Sequence, residues 1–545
     1  MKPRFVAGPP GTGKTHGYIV EKFKKVFKTY NPEKIILLSH TNVAAGEIKE
    51  AILKLRETIE RGYRKKFFKY KICTIHSYCN HYLVSKELFE YGDHENLCKI
   101  NSSFRRVSIS PSDDFEKSHP FYRYIKAAHG NDLRLQDFWK KCNKNEYEPY
   151  NLSQLIEMNN SYISYKEKNN KRDYADMVKE FNELEIDSSV EVLIIDEAQD
   201  SNVPQMKAIN KIASNVKDGH YYLVGDADQT IYEFAGSDAK KFHELSKNPY
   251  HELEEGKRCS VVINAKCKQI IKPIWDHYEY KRIWTPAKYT EKHQEEEKIP
   301  LGYKIGDYIQ GKDYYLPDLK GSPGLTLLLE KINNTNHTFL FTGRYYGSTD
   351  YFRQFFIHHG LEFAHVKNVN NYVSKKEINC HHLWPQFRTG KPLPKKQISD
   401  FRDYLGIKAV PKGKWPKEII KEFIDKDYTI DELILKGYLR NNIKELGSFD
   451  MIRTKATKTK DHDKRMIYIK KVLTKGFNST GKIRIEYGNI HDVKGLTRDN
   501  VIVDLSQPRA EDYHVQLRLK YTAYSRGIFD CWTLASRTRR ELGRR

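Results

Sequence analysis

Short apolar runs that end in polar or glycine positions recur along the chain, and this rhythm predicts buried parallel strands. The first set covers residues 5–7, 35–38, 72–75, 192–195 and 222–224, and the second covers 339–341, 483–485, 501–503 and 532–534. Stretches with helical spacing, such as 18–27 and 43–55, separate most of them. Strand and helix in alternation predict an α/β fold with two doubly wound parallel-sheet cores. The rhythm breaks twice. From Tyr82 to Tyr165 it gives way to Lys-, Asn-, Tyr- and Phe-rich sequence, and from Tyr372 to Thr480 to a stretch with Pro385, Pro392 and Pro394 near its start. These breaks predict inserted, mainly helical subdomains at 85–165 and 372–480. The first core is then 1–84 with 166–248, and the second is 249–371 with 481–545.

Charge and cysteine content narrow the class. Lys and Arg number 94 against 71 acidic residues, a surplus of +23 over 545 residues that draws a polyanion at long range. A self-repelling soluble surface accounts for that surplus equally well, so motifs have to decide. The eight cysteines include no CxxC pair, which fits a reducing compartment better than a disulfide framework. Cys380-His381-His382 lacks a second ligand pair at zinc-site spacing and reads as ordinary sequence. With no apolar run of spanning length and no signal peptide ahead of the first strand, the expectation is a soluble cytoplasmic protein without a membrane partner. Glu291 to Lys298 reads as a solvated face, and so does the Arg-rich tail from Arg537 to Arg545, with a phosphate backbone as its alternative contact.

Gly8-Pro9-Pro10-Gly11-Thr12-Gly13-Lys14-Thr15 follows a strand and opens a helix. That is the context a phosphate-cradling loop requires: glycines permit the tight turn, and converging backbone N–H groups meet the anion at a helix N-terminus. Lys14 would reach the β- and γ-phosphates, and Thr15 would ligand Mg²⁺. Asp196-Glu197 stands at the carboxyl end of the strand 192–195, where open α/β sheets bind ligands. Asp196 is suited to hold the metal, and Glu197 to orient and deprotonate an attacking water. Taken alone, this pair is equally an acidic helix cap.

The order and wording of these motifs resemble a superfamily 1 helicase of the UvrD/Rep/PcrA type, almost from end to end. Ser39-His40-Thr41-Asn42-Val43-Ala44-Ala45 resembles motif Ia and Thr74-Ile75-His76-Ser77 motif Ib; Asp173 to Met177 matches the short acidic-aromatic segment before motif II. Gly225 to Phe234 is close to motif III, Arg258 and Arg344 fall at the motif IV and IVa arginines, Ile490 to Leu496 resembles motif V and Tyr521 to Arg526 motif VI. The resemblance implies two RecA-like cores of the P-loop NTPase fold, with ATP and Mg²⁺ as cofactors. Gln229 would sense the γ-phosphate, Arg258 and Arg526 would reach the transferring phosphoryl group, and Arg344 and Gly495 would add nucleotide contacts. Tyr232 and Phe234 would stack bases, and His40, Asn42, Thr74, His76, Ser77 and His491 would meet the nucleic-acid backbone or sugars.

The implied activity is ATP-dependent, 3′→5′ unwinding of DNA by translocation on a single strand. The implied partners are single-stranded DNA, single-strand/duplex junctions and accessory replication or repair proteins. Two alternatives stay open: an ATPase that translocates without processive unwinding, and a nucleic-acid-binding scaffold without hydrolysis. The chain departs from the family at Ala235, where an arginine commonly follows the motif III aromatic, at Lys257, where a base-stacking tyrosine is usual, and at Thr497, where a glutamate accepts a ribose hydroxyl.

Overall fold

The computed structural model describes residues 2–534 except 109–118, 187, 217–218, 320–322, 345, 368–371, 407, 412–422, 450–461, 478–480 and 506–511. The tail 535–545, with its arginine cluster, lies outside the described residues. The chain divides into two compact units, Met1–Gly311 with Ala510–Ser525, and Lys312–Arg509 with Arg526–Arg545.

In the first unit, described strands β1 (Arg4–Ala7), β2 (Ile35–Ser39), β3 (Ile72–Thr74), β4 (Val192–Ile195), β5 (Tyr221–Gly225) and β6 (His251–Glu252) form one parallel sheet in the order β3-β2-β4-β5-β1-β6. Its central strands are buried on both faces, which is why they read as unbroken apolar runs rather than as alternation. Helices cover both sides. Phe23, Val26 and Phe27 of Val20–Thr29 pack on one face with Val6, Leu37 and Ile194; Ile209 and Ile212 of Val203–Ile212 pack on the other with Leu193 and Leu223.

The insertion after β3 holds helices Tyr91–Ile100, Pro120–Gly130, Leu135–Lys141 and Leu152–Lys168 around an aromatic core that includes Phe104, Phe121, Tyr122, Tyr124 and Tyr162. In the second unit β7 (Asp313–Leu316), β8 (Phe339–Gly343), β9 (Phe363–His365), β10 (Ile485–Asn489), β11 (Arg498–Asp504) and β12 (Gly527–Leu534) form a parallel sheet in the order β9-β10-β8-β11-β12-β7. The later insertion has its own core around Trp384, Phe387, Phe401 and Tyr428.

Three local differences from the sequence reading have physical causes. The strand expected at 483–485 runs instead over Ile485–Asn489, because Arg484 turns its guanidinium to the carbonyls of Ile332 (2.9 Å) and His337 (3.2 Å). Ile75 does not extend β3 but opens a helix, since Thr74 Oγ1 accepts from Ser77 N (3.2 Å) and caps it. Residues 249–311, grouped by sequence with the second core, belong to the first unit: β6 pairs with β1, and Cys267 of Val261–His277 approaches the carbonyl of Tyr521 in Tyr513–Tyr524.

Candidate active site and nucleic-acid groove

Every candidate residue of the first unit except Arg258 follows, or ends, a strand at the carboxyl edge of its sheet. After β1 the chain enters the phosphate loop, where Gly11 (φ 71°) and Gly13 (φ 84°) take left-handed conformations that favour glycine. Gly11 has a second constraint: a Cβ there would lie 2.3 Å from Arg258 Cβ. The loop leads into a helix whose first turn, Lys14–Ile19, is wide, with Tyr18 N donating to Gly13 O (2.9 Å). Pro9 and Pro10 lie on the loop ahead of Gly11, and Thr12 Oγ1 closes it by donating to Pro9 O (2.8 Å). Buried Lys14 folds back along the loop, its Nζ donating to Gly8 O at 2.8 Å.

Thr15 Oγ1 donates to Asp196 Oδ2 at 3.2 Å, so these two oxygens, from separate strands' ends, meet at one point. Hard oxygen donors of this kind suit Mg²⁺. Burial, and after it the neighbouring Glu197, pushes the Asp196 carboxyl up to about 7. Glu197 itself stands at φ 51°, a left-handed position that a non-glycine residue adopts at a cost of roughly 1–3 kcal/mol. Its surroundings hold it there: Glu197 N donates to Asp196 Oδ1 (3.0 Å), and Gln199 Nε2 donates to Glu197 Oε2 (2.6 Å). The other end of the Gln199 amide accepts from Asp226 N (3.2 Å), beyond β5. The Asp226 carboxylate in turn accepts from Gln229 Nε2 (2.7 Å). Arg258 lies over the loop beside Gly11, donates to Ser525 O (3.3 Å), and has its pKa lowered by burial.

A groove of about 1490 Å³ in the first unit is lined among others by His40, Asn42, Thr74, His76 and Ser77 and, from the inserted stretch, Lys126. It therefore brings together five of the residues that the sequence singled out for nucleic acid. His40 Nε2 lies 2.9 Å from Ser201 Oγ. His76 packs edge-on against Tyr174 (5.1 Å) and is held down to about 4, chiefly by burial and then by Lys126, so its ring is neutral at physiological pH. Tyr232 and Phe234 are not part of that lining; their rings lie 6.1 Å apart, and Phe234 is 60% exposed. Their loop meets the end of Pro120–Gly130, where a Cβ on Gly236 would fall 2.0 Å from Gly130 O.

The remaining candidates belong to the second unit. Arg344 follows β8, half-buried; His491 lies in the short helix Ile490–Val493 after β10, and Gly495 (φ 88°) in the turn beyond it. Arg526, buried, precedes β12 and its carbonyl accepts from Arg498 N at 3.0 Å. Sequence reasoning assigned no role to Gln199, Asp226 or Arg282. The first two stand inside motif strings, but Arg282 lies 56 positions from its partner Asp226 and carries no local signal.

Among the described residues no helix is long and apolar enough to cross a membrane. Residues 1–250 match the UvrD/REP helicase N-terminal domain. The chain is 27% identical over 251 residues to the "Probable DNA helicase II homolog" of Mycoplasma pneumoniae, covering 42% of this chain and 33% of that protein. It is 25% identical over 271 residues to "ATP-dependent DNA helicase Rep" of Buchnera aphidicola subsp. Baizongia pistaciae (46% and 37%). A second Rep, from subsp. Schizaphis graminum, is 23% identical over 501 residues (79% and 70%). In the first of these pairs the match spans a third of the relative's length, and in the second little more. The likeness to the UvrD/REP helicase N-terminal domain is thus carried by residues 1–250, the part that holds the phosphate loop, Asp196-Glu197 and Gly225 to Phe234.

Proposed function

We propose that this protein is an ATP-dependent DNA helicase that translocates 3′→5′ on single-stranded DNA and couples hydrolysis to unwinding at single-strand/duplex junctions. The observation that carries this reading is the chain of contacts Glu197–Gln199–Asp226–Gln229, which ties the phosphate loop's acidic partner to the loop bearing Tyr232 and Phe234. In this reading the backbone from Gly8 to Gly13 cradles the phosphates and Lys14 neutralises them. Thr15 and Asp196 would hold Mg²⁺, which would supply positive charge against the phosphates. Glu197 orients and deprotonates the attacking water, and Gln229 reports the γ-phosphate. Arg258 and Arg526 stabilise charge developing on the transferred group, a role worth about 10³–10⁵ in rate for such arginines. Arg344 and Gly495 complete the nucleotide contacts.

His40, Asn42, Thr74, His76, Ser77 and His491 hold the strand's backbone, and Tyr232 and Phe234 stack its bases at about 1–3 kcal/mol each, without sequence preference. The subdomains follow the sequence division, with 85–165 and 372–480 inserted into the two cores. The test uses the full chain with ATP, single-stranded DNA, and duplexes tailed at either end. Hydrolysis stimulated by the single strand and displacement from the 3′-tailed duplex are expected, both abolished in Lys14→Ala. Glu197→Gln should keep nucleotide binding and lose turnover, because Glu197 acts on the water alone. Hydrolysis indifferent to DNA would overturn the motor reading, and displacement from 5′ tails alone would reverse the direction.

A further inference from the structure

The Asp226 carboxylate is fully buried, at 0% exposure, and a carboxylate in that setting persists only when paired and hydrogen-bonded. Each of its oxygens serves two donors. Oδ2 accepts from Gln229 Nε2 (2.7 Å) and Tyr521 Oη (3.3 Å); Oδ1 accepts from Asp228 N (3.1 Å) and Arg282 Nη1 (2.6 Å). The backbone N–H of the same residue reaches Gln199, which holds Glu197. One residue thus holds both groups, its side chain the Gln229 amide and its backbone N–H the Gln199 that positions Glu197. The cation that fixes Asp226 is Arg282, itself 3% exposed.

Arg282 is in turn fixed from three directions. Its Nη2 donates to Ser246 Oγ (2.8 Å), its Nη1 lies 3.8 Å from Asp228 Oδ2, and its guanidinium carbon sits 5.6 Å from the centre of the Tyr280 ring. Asp228 is also buried and is anchored by Trp275 Nε1 (2.8 Å) and Tyr280 Oη (3.0 Å). A planar fork with donors in fixed directions can hold Asp226 and Ser246 at once, whereas an ammonium offers a point charge on a flexible stem. None of these groups comes from the phosphate loop.

We propose that Arg282 is a positioning residue for hydrolysis: by pinning Asp226 Oδ1 it fixes Gln229 through Oδ2 and, through the Asp226 amide and Gln199, Glu197. The inference rests on the proposed roles of Glu197 and Gln229. Without Arg282 the carboxylate rotates or draws in water, and both catalytic side chains lose their common reference. Nucleotide binding by Lys14 and the loop backbone is made by other atoms and persists.

The test compares the parent chain with Arg282→Met and Arg282→Lys, measuring kcat and KM for ATP at saturating single-stranded DNA. Rates are normalised to sites that bind a fluorescent ATP analogue, so that unfolded molecules are not counted. A displacement of about 1 Å at a reacting group lowers turnover by about a hundredfold. That fall in kcat is expected for Arg282→Met, with KM and analogue affinity within about threefold of the parent by the same separation of binding from chemistry. Arg282→Lys should recover part of it. Parental kcat per binding-competent site in Arg282→Met overturns the inference, as does an equal loss of affinity and turnover. If Arg282→Met yields no folded chain, Arg282→Lys decides on the same readout: reduced kcat at preserved KM supports positioning, and parental kcat overturns it. A parent chain without DNA-stimulated hydrolysis refutes the motor reading instead, so the two failures are distinguishable.

Discussion

Gly225 ends β5, and a methyl group there would act on hydrolysis without touching nucleotide. A Cβ at this position would lie 2.2 Å from Gln199 Oε1 and 3.3 Å from Gln199 Cδ, while Ala198 N, the nearest backbone atom, is 3.5 Å away. What must move is therefore the end of a side chain, so Gly225→Ala should fold. Moving it breaks two bonds, Asp226 N to Gln199 Oε1 and Gln199 Nε2 to Glu197 Oε2. The second is a hydrogen bond to a charged group, worth about 1.5–3 kcal/mol. If that energy is what holds Glu197 in its left-handed, water-activating pose, its loss raises the barrier by the same amount. At about 1.4 kcal/mol per tenfold, turnover falls by about ten- to a hundredfold.

The assay is steady-state ATP hydrolysis at saturating single-stranded DNA, with nucleotide affinity measured separately and expected to stay near the parent value. Gln199→Met, which removes the same two bonds without adding bulk to β5, should show a fall of similar size. Turnover of Gly225→Ala within about twofold of the parent, a difference of only about 0.4 kcal/mol, would refute the role assigned to Gln199.

Replacing Tyr232 and Phe234 together with Ala should weaken single-strand binding and uncouple it from hydrolysis, at about 1–3 kcal/mol per ring; undiminished stimulation by DNA would show that the rings stack no base. His76, His119 and His243 are held down to about 4, about 4 and about 2, in each case chiefly by burial. Each is uncharged when folded, whereas the unfolded chain takes up the proton as pH falls through about 6.5, so the stability they contribute is present above that pH and is lost toward pH 4, at most about 1.4 kcal/mol per pH unit each. Equal denaturant midpoints at pH 7 and pH 5 would contradict this. Finally, by the family resemblance, Lys257, whose Nζ lies 3.6 Å from where a Gly13 Cβ would stand, and Thr497 occupy the positions of a ring and an acceptor that would select the nucleoside. GTP, CTP and dATP should therefore support turnover within about tenfold of ATP, and a preference of about a hundredfold in kcat/KM, roughly 2.7 kcal/mol, would exclude that tolerance.

The sheet strands that the sequence disclosed are those buried on both faces, such as Val192–Ile195 and Tyr221–Gly225, where unbroken apolar runs leave little else to infer. His251–Glu252, Asp313–Leu316 and Phe363–His365 escaped because they are short edge strands with polar, partly exposed positions. The loops at the strand ends were legible for a similar reason: the phosphate loop, Asp196-Glu197 and Gly225 to Phe234 are contiguous, and contiguity is what a sequence displays. Asp226 with Arg282, or Thr230 with Arg518, are pairs brought together only by folding. A buried arginine and an exposed one look alike until the carboxylate opposite it is known.

The helix Tyr513–Tyr524 belongs to the first unit, yet it is synthesised about two hundred residues after the rest of that unit, once 312–509 have been made. Arg518 caps the carbonyl of Thr230 (2.8 Å) and pairs with Glu233, and Tyr521 reaches Asp226. Translation at about 5–20 residues per second leaves these partners waiting for about 10–40 s. During that interval the emerging first unit carries a vacant seat along Val261–His277, where Cys267 Sγ would donate to the Tyr521 carbonyl and Lys266 would lie 4.6 Å from the Tyr524 ring. A nascent chain stalled at Gly311 is thus the half of a split protein whose complement is a single helix, and a synthetic peptide carrying Tyr513–Tyr524 is the piece that should dock into it.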